Sequence, residues 1–147
     1  MSELSETETD ALRDAISAEH AAVWVYGFAT AFTSSSVRSA VVEATEEHAR
    51  QRDNAQRVLQ DAGQRPPAAQ PAYDIDQEVT DEKSAIQLLV TAEQDCQTGW
   101  RSVLENSENA ELRRLALTGL TDSATRCTRW RITAGQRPAA PVFPGRP

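Results

Sequence analysis

The stretch GQRPPAAQPAYDIDQEVT, residues 63–80, interrupts an otherwise helical sequence and decides how the helices are connected. It begins with a glycine, contains three prolines and shows no helical periodicity, which predicts a long extended connection. About 18 residues at up to about 3.3 Å each reach along the whole of a 24-residue helix, about 35 Å. We therefore expect this segment to cross the full length of a helical bundle.

Apolar residues recur at steps of three and four on both sides of this crossover, which predicts two helices before it and two after it. The helices are expected to begin near residues 10, 37, 81 and 107 and to end near residues 32, 62, 105 and 133. Each pair is separated by a short break and therefore forms an antiparallel hairpin. Two such hairpins joined by a long Pro-rich crossover form an all-α, ferritin-like four-helix bundle.

Composition limits the classes of protein to which the chain can belong. With 147 residues, of which 39% are hydrophobic, we expect one domain over residues 1–134, followed by an extended or disordered Pro-rich tail over residues 135–147. A net charge of −7 disfavours nucleic acid and anionic membranes as partners. The acidic N-terminus and an apolar stretch of only about a dozen residues, against the ~20 needed to span a bilayer, predict a cytoplasmic protein.

Four ionisable residues fall on apolar stripes, one in each predicted helix: Glu19, His48, Glu93 and Arg126. A buried ionisable group is costly unless it is paired or holds a metal. Counted along the predicted topology at 1.5 Å per residue, the four lie at similar heights in the bundle. We expect them to meet in one buried polar cluster, with Arg52 and Asp122 near the same stripes as further members.

A dinuclear carboxylate site in such a bundle takes a Glu from each of two helices and a Glu-x-x-His pair from each of the other two. Glu19 and Glu93 can supply the single carboxylates, but Thr45 precedes His48 by three positions where a Glu is needed. Helix four has Arg126 in place of the histidine, and a guanidinium has no lone pair to offer and repels a cation.

The sequence therefore predicts a metal-free network without a cofactor or catalytic residue, in which Arg126 bridges Glu19 and Glu93 while His48 donates a further hydrogen bond. The chain would then be a structural or binding module whose small-molecule ligand, if any, is unknown. The alternative is a metal-dependent oxidoreductase with a single Fe, Mn or Zn ion held by Glu19, His48 and Glu93.

Three runs carry a family resemblance: AEHAAVWVYG at 18–27, HARQRD at 48–53 and ATRCTRWR at 124–131. With the crossover that contains Ala72 and Tyr73, they resemble an actinobacterial ferritin-like family of unknown function, over about residues 10–132. The resemblance implies a ferritin-like bundle and no established reaction.

The first predicted helix is apolar around most of its circumference, with Trp24, Val25 and Phe28 pointing away from the stripe. A helix of this kind must be covered on both sides, and a second copy of the chain would do that in a homodimer. Cover by Tyr73 and Ile75, or by the tail, is the alternative. His20 is expected at the surface, and Cys96 and Cys127 are expected to be free and buried, because their predicted heights differ too much for a disulfide.

Overall fold

The computed structural model describes residues 3–146, which contain four long helices and no strand. The helices are α1 (Glu6–Ala29), α2 (Ser35–Asp61), α3 (Glu82–Asn106) and α4 (Ala110–Thr133). A short 3-10 turn, Thr30–Phe32, continues α1. The predicted all-α four-helix bundle is confirmed.

Capping residues explain where the helices begin. Ser5 forms a capping box with Glu8, so α1 starts a few residues before the predicted start near residue 10. Asp81 caps α3 in the same way through Ser84. The cap of α4 is Asn109, two residues after the predicted start near residue 107. The Ser107 hydroxyl instead donates a hydrogen bond of 2.6 Å to the Glu8 carboxylate.

Contacts at the two ends of α1 establish the topology. Glu8 near the start of α1 meets Ser107 beyond the end of α3, and Ser34 beyond the end of α1 donates its backbone N–H to Glu82 at 2.9 Å. Helix α1 is therefore antiparallel to α3, and the short connection makes it antiparallel to α2. Because α2 and α3 are both antiparallel to α1, they are parallel to each other, and residues 62–81 cross the length of the bundle as predicted.

The crossover also covers the outer face of α1. The Trp24 ring stacks on Phe28, with centroids 5.5 Å apart, and the Tyr73 ring lies 6.0 Å from Trp24. Val25 is buried within the chain and lines a pocket together with Tyr73 and Ile75. The crossover therefore covers it, as the alternative to the homodimer expects, and it is not available for a dimer contact. His20 is buried as well, against the expectation of a surface position, because the Pro67 carbonyl lies 3.2 Å from its Nε2.

The described part of the predicted tail, residues 135–146, runs along α3 and α4. Arg101 donates to the Pro144 carbonyl at 3.2 Å, and Arg131 donates to the Pro138 carbonyl at 3.2 Å. The domain boundary at residue 134 stays a prediction. Over residues 3–146, none of the helices combines the length and the apolar character that crossing a membrane requires.

Candidate functional site

Each helix contributes one ionisable side chain to the middle of the bundle: Glu19 from α1, His48 from α2, Glu93 from α3 and Arg126 from α4. The first three are completely buried and Arg126 is 8% exposed. Each lies on a helix face whose other buried members are mostly apolar, so the packing that forms the core also brings these four together. The structure thus places all four in one buried network.

His48 lies between the two carboxylates. Its Nδ1 is 2.5 Å from Glu19 Oε2, and its Nε2 is 2.9 Å from Glu93 Oε2. An ionised carboxylate only accepts hydrogen bonds, so both ring nitrogens must donate, which requires the imidazolium form. Burial alone would lower the pKa of His48, but the charge of Glu93 and the hydrogen bonds to both carboxylates raise it to about 9.

Aromatic side chains donate further hydrogen bonds to the two carboxylates. Trp100 Nε1 donates to Glu19 Oε1 at 2.7 Å, and the Tyr26 hydroxyl donates to Glu93 Oε2 at 2.7 Å. Burial and the charge of Glu93 raise the pKa of Tyr26 well above its ordinary value, so the hydroxyl stays protonated. Trp130 Nε1 in turn donates to the Tyr26 oxygen at 2.7 Å.

Arg126 connects this network to the bundle surface. Its Nε lies 3.1 and 3.3 Å from the two oxygens of Glu93, and its Nη1 donates to Glu47 Oε2 at 2.5 Å. The predicted bridge to Glu19 is wrong, because His48 occupies the space between Glu19 and Glu93. Burial would raise the pKa of Glu93, but His48 and Arg126 together hold it below its ordinary value.

The charges in the core balance without a further ion. Glu19 and Glu93 carry two negative charges, and His48 and Arg126 carry two positive ones. Glu47, whose side chain is 34% exposed, pairs with Arg126 from the surface side. Buried charges that are paired and hydrogen-bonded in this way can persist in a core, whereas removing one partner leaves an uncompensated charge.

Two residues predicted in the cluster lie outside it. Arg52 pairs with the neighbouring Asp53, with Nη2 to Oδ1 at 2.8 Å, and Asp122 is exposed. The inward position next to Arg52 is instead taken by Gln51, whose amide donates to the Leu115 carbonyl at 3.0 Å. One residue corresponds to 100° on a helix, so a stripe assigned one position off selects the wrong neighbour.

Periodicity alone does not reveal the polar roles of Tyr26, Trp100 and Trp130, which lie on the same helix faces as Glu19, Glu93 and Arg126. Each has a donor that needs a partner when buried, and that requirement was the available signal. Trp100 approaches α4 closely at Gly119, where a Cβ would lie 2.6 Å from its indole nitrogen. The absence of a side chain at Gly119 therefore leaves space for the Trp100 indole, which donates to Glu19.

The fit of a metal ion can be judged from the ligand atoms. Glu19, His48 and Cys96 each offer one atom, and these atoms lie within 4.8 Å of one another. However, tetrahedral Zn with bonds of about 2.0–2.1 Å needs ligand atoms about 3.3 Å apart, well above the 2.5 Å between His48 and Glu19.

The protonation of the ligands also opposes a metal. Both His48 nitrogens carry protons in this arrangement, and burial with the nearby Glu19 charge raises the pKa of the Cys96 thiol well above its ordinary value. A metal ligand at either residue must be deprotonated. The residues as arranged therefore do not fit a metal ion. The predicted free, buried state of both cysteines is confirmed.

Comparison with known proteins gives a similar solved structure and a matching family model. Searched against curated proteins, the chain has no match. Its structure is similar to that of a conserved hypothetical protein, rv2844, from Mycobacterium tuberculosis, with 34% identity and a TM-score of 0.86, covering 88% of this chain and 98% of the other. The family model described as domain of unknown function (DUF4439) matches residues 11–147. The chain therefore belongs to this DUF4439 family.

Proposed function

We propose that the chain is a ferritin-like bundle that acts as a structural or binding module, with its Glu/His/Arg network standing where a dinuclear metal site would lie. It is not an enzyme in this proposal, and it acts in the cytoplasm without nucleic acid or membrane partners. The observation that carries the proposal is the position of His48, which donates from both ring nitrogens to Glu19 and Glu93. The mycobacterial relative supports the actinobacterial origin that the sequence resemblance implies.

The network supplies what a metal would otherwise supply to such a bundle. A cation in the core would balance the carboxylates of Glu19 and Glu93 and hold the helices that carry them. Here His48 and the Arg126 guanidinium provide the positive charge and satisfy the carboxylate oxygens through hydrogen bonds. Both ring nitrogens of His48 are engaged as donors to the carboxylates, so neither offers a lone pair to a substrate.

The second candidate function is a metal-dependent oxidoreductase with one Fe, Mn or Zn ion held by Glu19, His48 and Glu93. The convergence of buried carboxylate and imidazole ligands from three helices favours it, and the Cys96 sulfur is a further nearby ligand. Binding would require His48 to lose a proton and at least one carboxylate to turn away from it. The two candidates therefore differ in metal content.

We expect protein purified without chelator to contain well under one transition-metal ion per chain and to show no ferroxidase activity. The reason is that the ligand atoms are already engaged in hydrogen bonds with one another. Elemental analysis measures this directly. Stoichiometric Fe, Mn or Zn that is lost in Glu93→Ala and kept in Asp122→Ala, which removes an exposed carboxylate on α4, would favour the oxidoreductase instead.

A homodimer through α1 also stays part of the proposal. Trp24 and Phe28 remain only partly buried after the crossover has packed against them, and they form a stacked aromatic patch. Two such patches meeting across a twofold axis would bury the remaining apolar surface. Replacing both residues by Glu should then give a monomer with unchanged helical content, measured by light scattering and circular dichroism. A monomeric wild-type protein at micromolar concentration would contradict the dimer.

A further inference from the structure

A cavity lies outside the buried network, between α3, α4 and the C-terminal segment. Its volume is about 290 Å³, and none of the residues of the buried network lines it. That volume is far above the roughly 10–15 Å³ that one water molecule requires, and it is close to the lower end of small-molecule sites. The cavity therefore has room for a small organic or inorganic molecule.

The C-terminal segment forms one wall of this cavity and is held by specific contacts. A Cβ at Gly145 would lie 2.6 Å from the carbonyl oxygen of Gln97, so the backbone lies directly on α3. Its φ of +78° is a conformation that favours glycine. Arg101 fixes the preceding residue through its bond to the Pro144 carbonyl. The wall is thus part of the fold.

Two residues that line the cavity each carry a buried donor that forms no regular hydrogen bond within residues 3–146: Gln97 through its amide nitrogen Nε2 and Arg131 through its Nε. Gln97 is only 3% exposed. Both side chains lie near enough to the Cys127 sulfur to act on the pKa of its thiol through weak hydrogen bonds. A thiol sulfur is a weak acceptor, however, and its own hydrogen is directed at the Val90 carbonyl. Buried donors without an acceptor are destabilising and uncommon in native proteins.

The charged side chains that line the cavity are all positive. Arg131 and Arg146 contribute guanidinium groups, and no Asp or Glu of the described chain lines the cavity. This is unusual for a protein with a net charge of −7. The Arg146 guanidinium lies 5.3 Å over the Phe143 ring, which places an apolar surface beside the positive charge.

We propose that this cavity binds a small oxyanion whose oxygens accept hydrogen bonds from Gln97 Nε2 and Arg131 Nε, with Arg146 supplying a second positive charge. A carboxylate or a phosphate group presents the required pair of acceptor oxygens to a guanidinium. A short apolar chain on the anion would pack against Phe143. The site is independent of the buried network and of the function proposed for it.

The test is a titration of the ¹⁵N-labelled full chain with inorganic phosphate and, separately, with butyrate, followed by NMR. We expect saturable binding with one site per chain, and shifts of the Gln97 side-chain amide and of the Arg131 Nε–H. Tighter binding of butyrate would identify a carboxylate with an apolar chain as the ligand class, whereas tighter binding of phosphate would identify a phosphate group.

Variants separate a built site from general electrostatic attraction. Arg131→Met and Gln97→Leu should each weaken the binding about tenfold or more. Arg137→Met removes the same charge from an exposed position of the same segment and should leave it unchanged. Equal weakening by Arg137→Met, or no saturable shift at Gln97 in the wild-type protein, would overturn the proposal. If Arg131→Met does not fold, the wild-type shifts at Gln97 and Arg131 Nε decide the question alone.

Discussion

Arg126→Met is expected to lower the free energy of unfolding by about 3–5 kcal/mol, the usual cost of leaving a buried charge without its partner. The guanidinium touches both oxygens of Glu93 and also pairs with Glu47. Without it, the Glu93 carboxylate keeps only His48 and Tyr26 as donors in a site that excludes water. Urea denaturation followed by circular dichroism measures the loss.

Two further variants identify the cause of that loss. Adding Glu93→Gln to Arg126→Met removes the unbalanced charge and should recover part of the stability. Arg129→Met, at an exposed position of the same helix, should change the free energy of unfolding by no more than about 0.5 kcal/mol. A near-neutral Arg126→Met, or a double variant that is less stable than the single one, would refute the charge balance described for the core.

The free energy of unfolding should fall by about 3 kcal/mol as pH rises from 6.5 to beyond 9. The pKa of His48 is about 9 in the folded protein, against an ordinary value of 6.5. The folded state therefore binds the proton more tightly than the unfolded state. The stabilisation is fully present below pH 6.5 and is lost as pH rises through 9.

Other groups act in different pH ranges, so the effect of His48 can be separated from theirs. The pKa of Glu93 is lowered from 4.5, so its contribution is present above that pH and is lost in acid. Burial lowers the pKa of His20 from 6.5, which likewise costs stability only as the pH falls. The raised pKa values of the two cysteine thiols reduce stability only above about pH 9.

The control for the pH experiment is His48→Gln, which keeps hydrogen-bonding capacity but cannot titrate. Denaturant midpoints measured from pH 6 to 9.5 should decline in the wild-type protein and remain nearly level in the variant up to about pH 9. The same slope in both proteins would show that His48 is neutral in the folded state, with a ring nitrogen free to bind a metal ion.

Local information in the sequence was sufficient for the elements of the fold. The apolar stripes identified four helices, because the period of 3.6 residues is imposed by the helix itself. The glycine and prolines of residues 63–80 identified the crossover, because these residues cannot continue a helix. The same stripes singled out Glu19, His48, Glu93 and Arg126, because a charged residue in an apolar row is visible without knowledge of its neighbours.

The pairing of those residues depended on distances that no single helix contains. Arg126 binds Glu47 rather than Glu19, since the relative rotation of α2 and α4 and the position of His48 decide which carboxylate it reaches. Tyr26 and Trp100 became donors to the carboxylates only because packing directed their polar atoms inward.

The positions of the two non-helical segments were also decided by the tertiary structure. Residues 63–80 and the C-terminal segment have no periodic pattern, so the sequence left open whether these segments or a second copy of the chain cover α1. Once the helices have packed, the crossover buries His20 and Val25, and the C-terminal segment closes a cavity over Gln97 and Arg131. The sequence by itself determined the helices and the identity of the buried charged residues. The hydrogen-bond partners of those residues were decided when the four helices packed together. The cover over α1 and the cavity beside Gln97 formed when the non-periodic segments packed against the bundle.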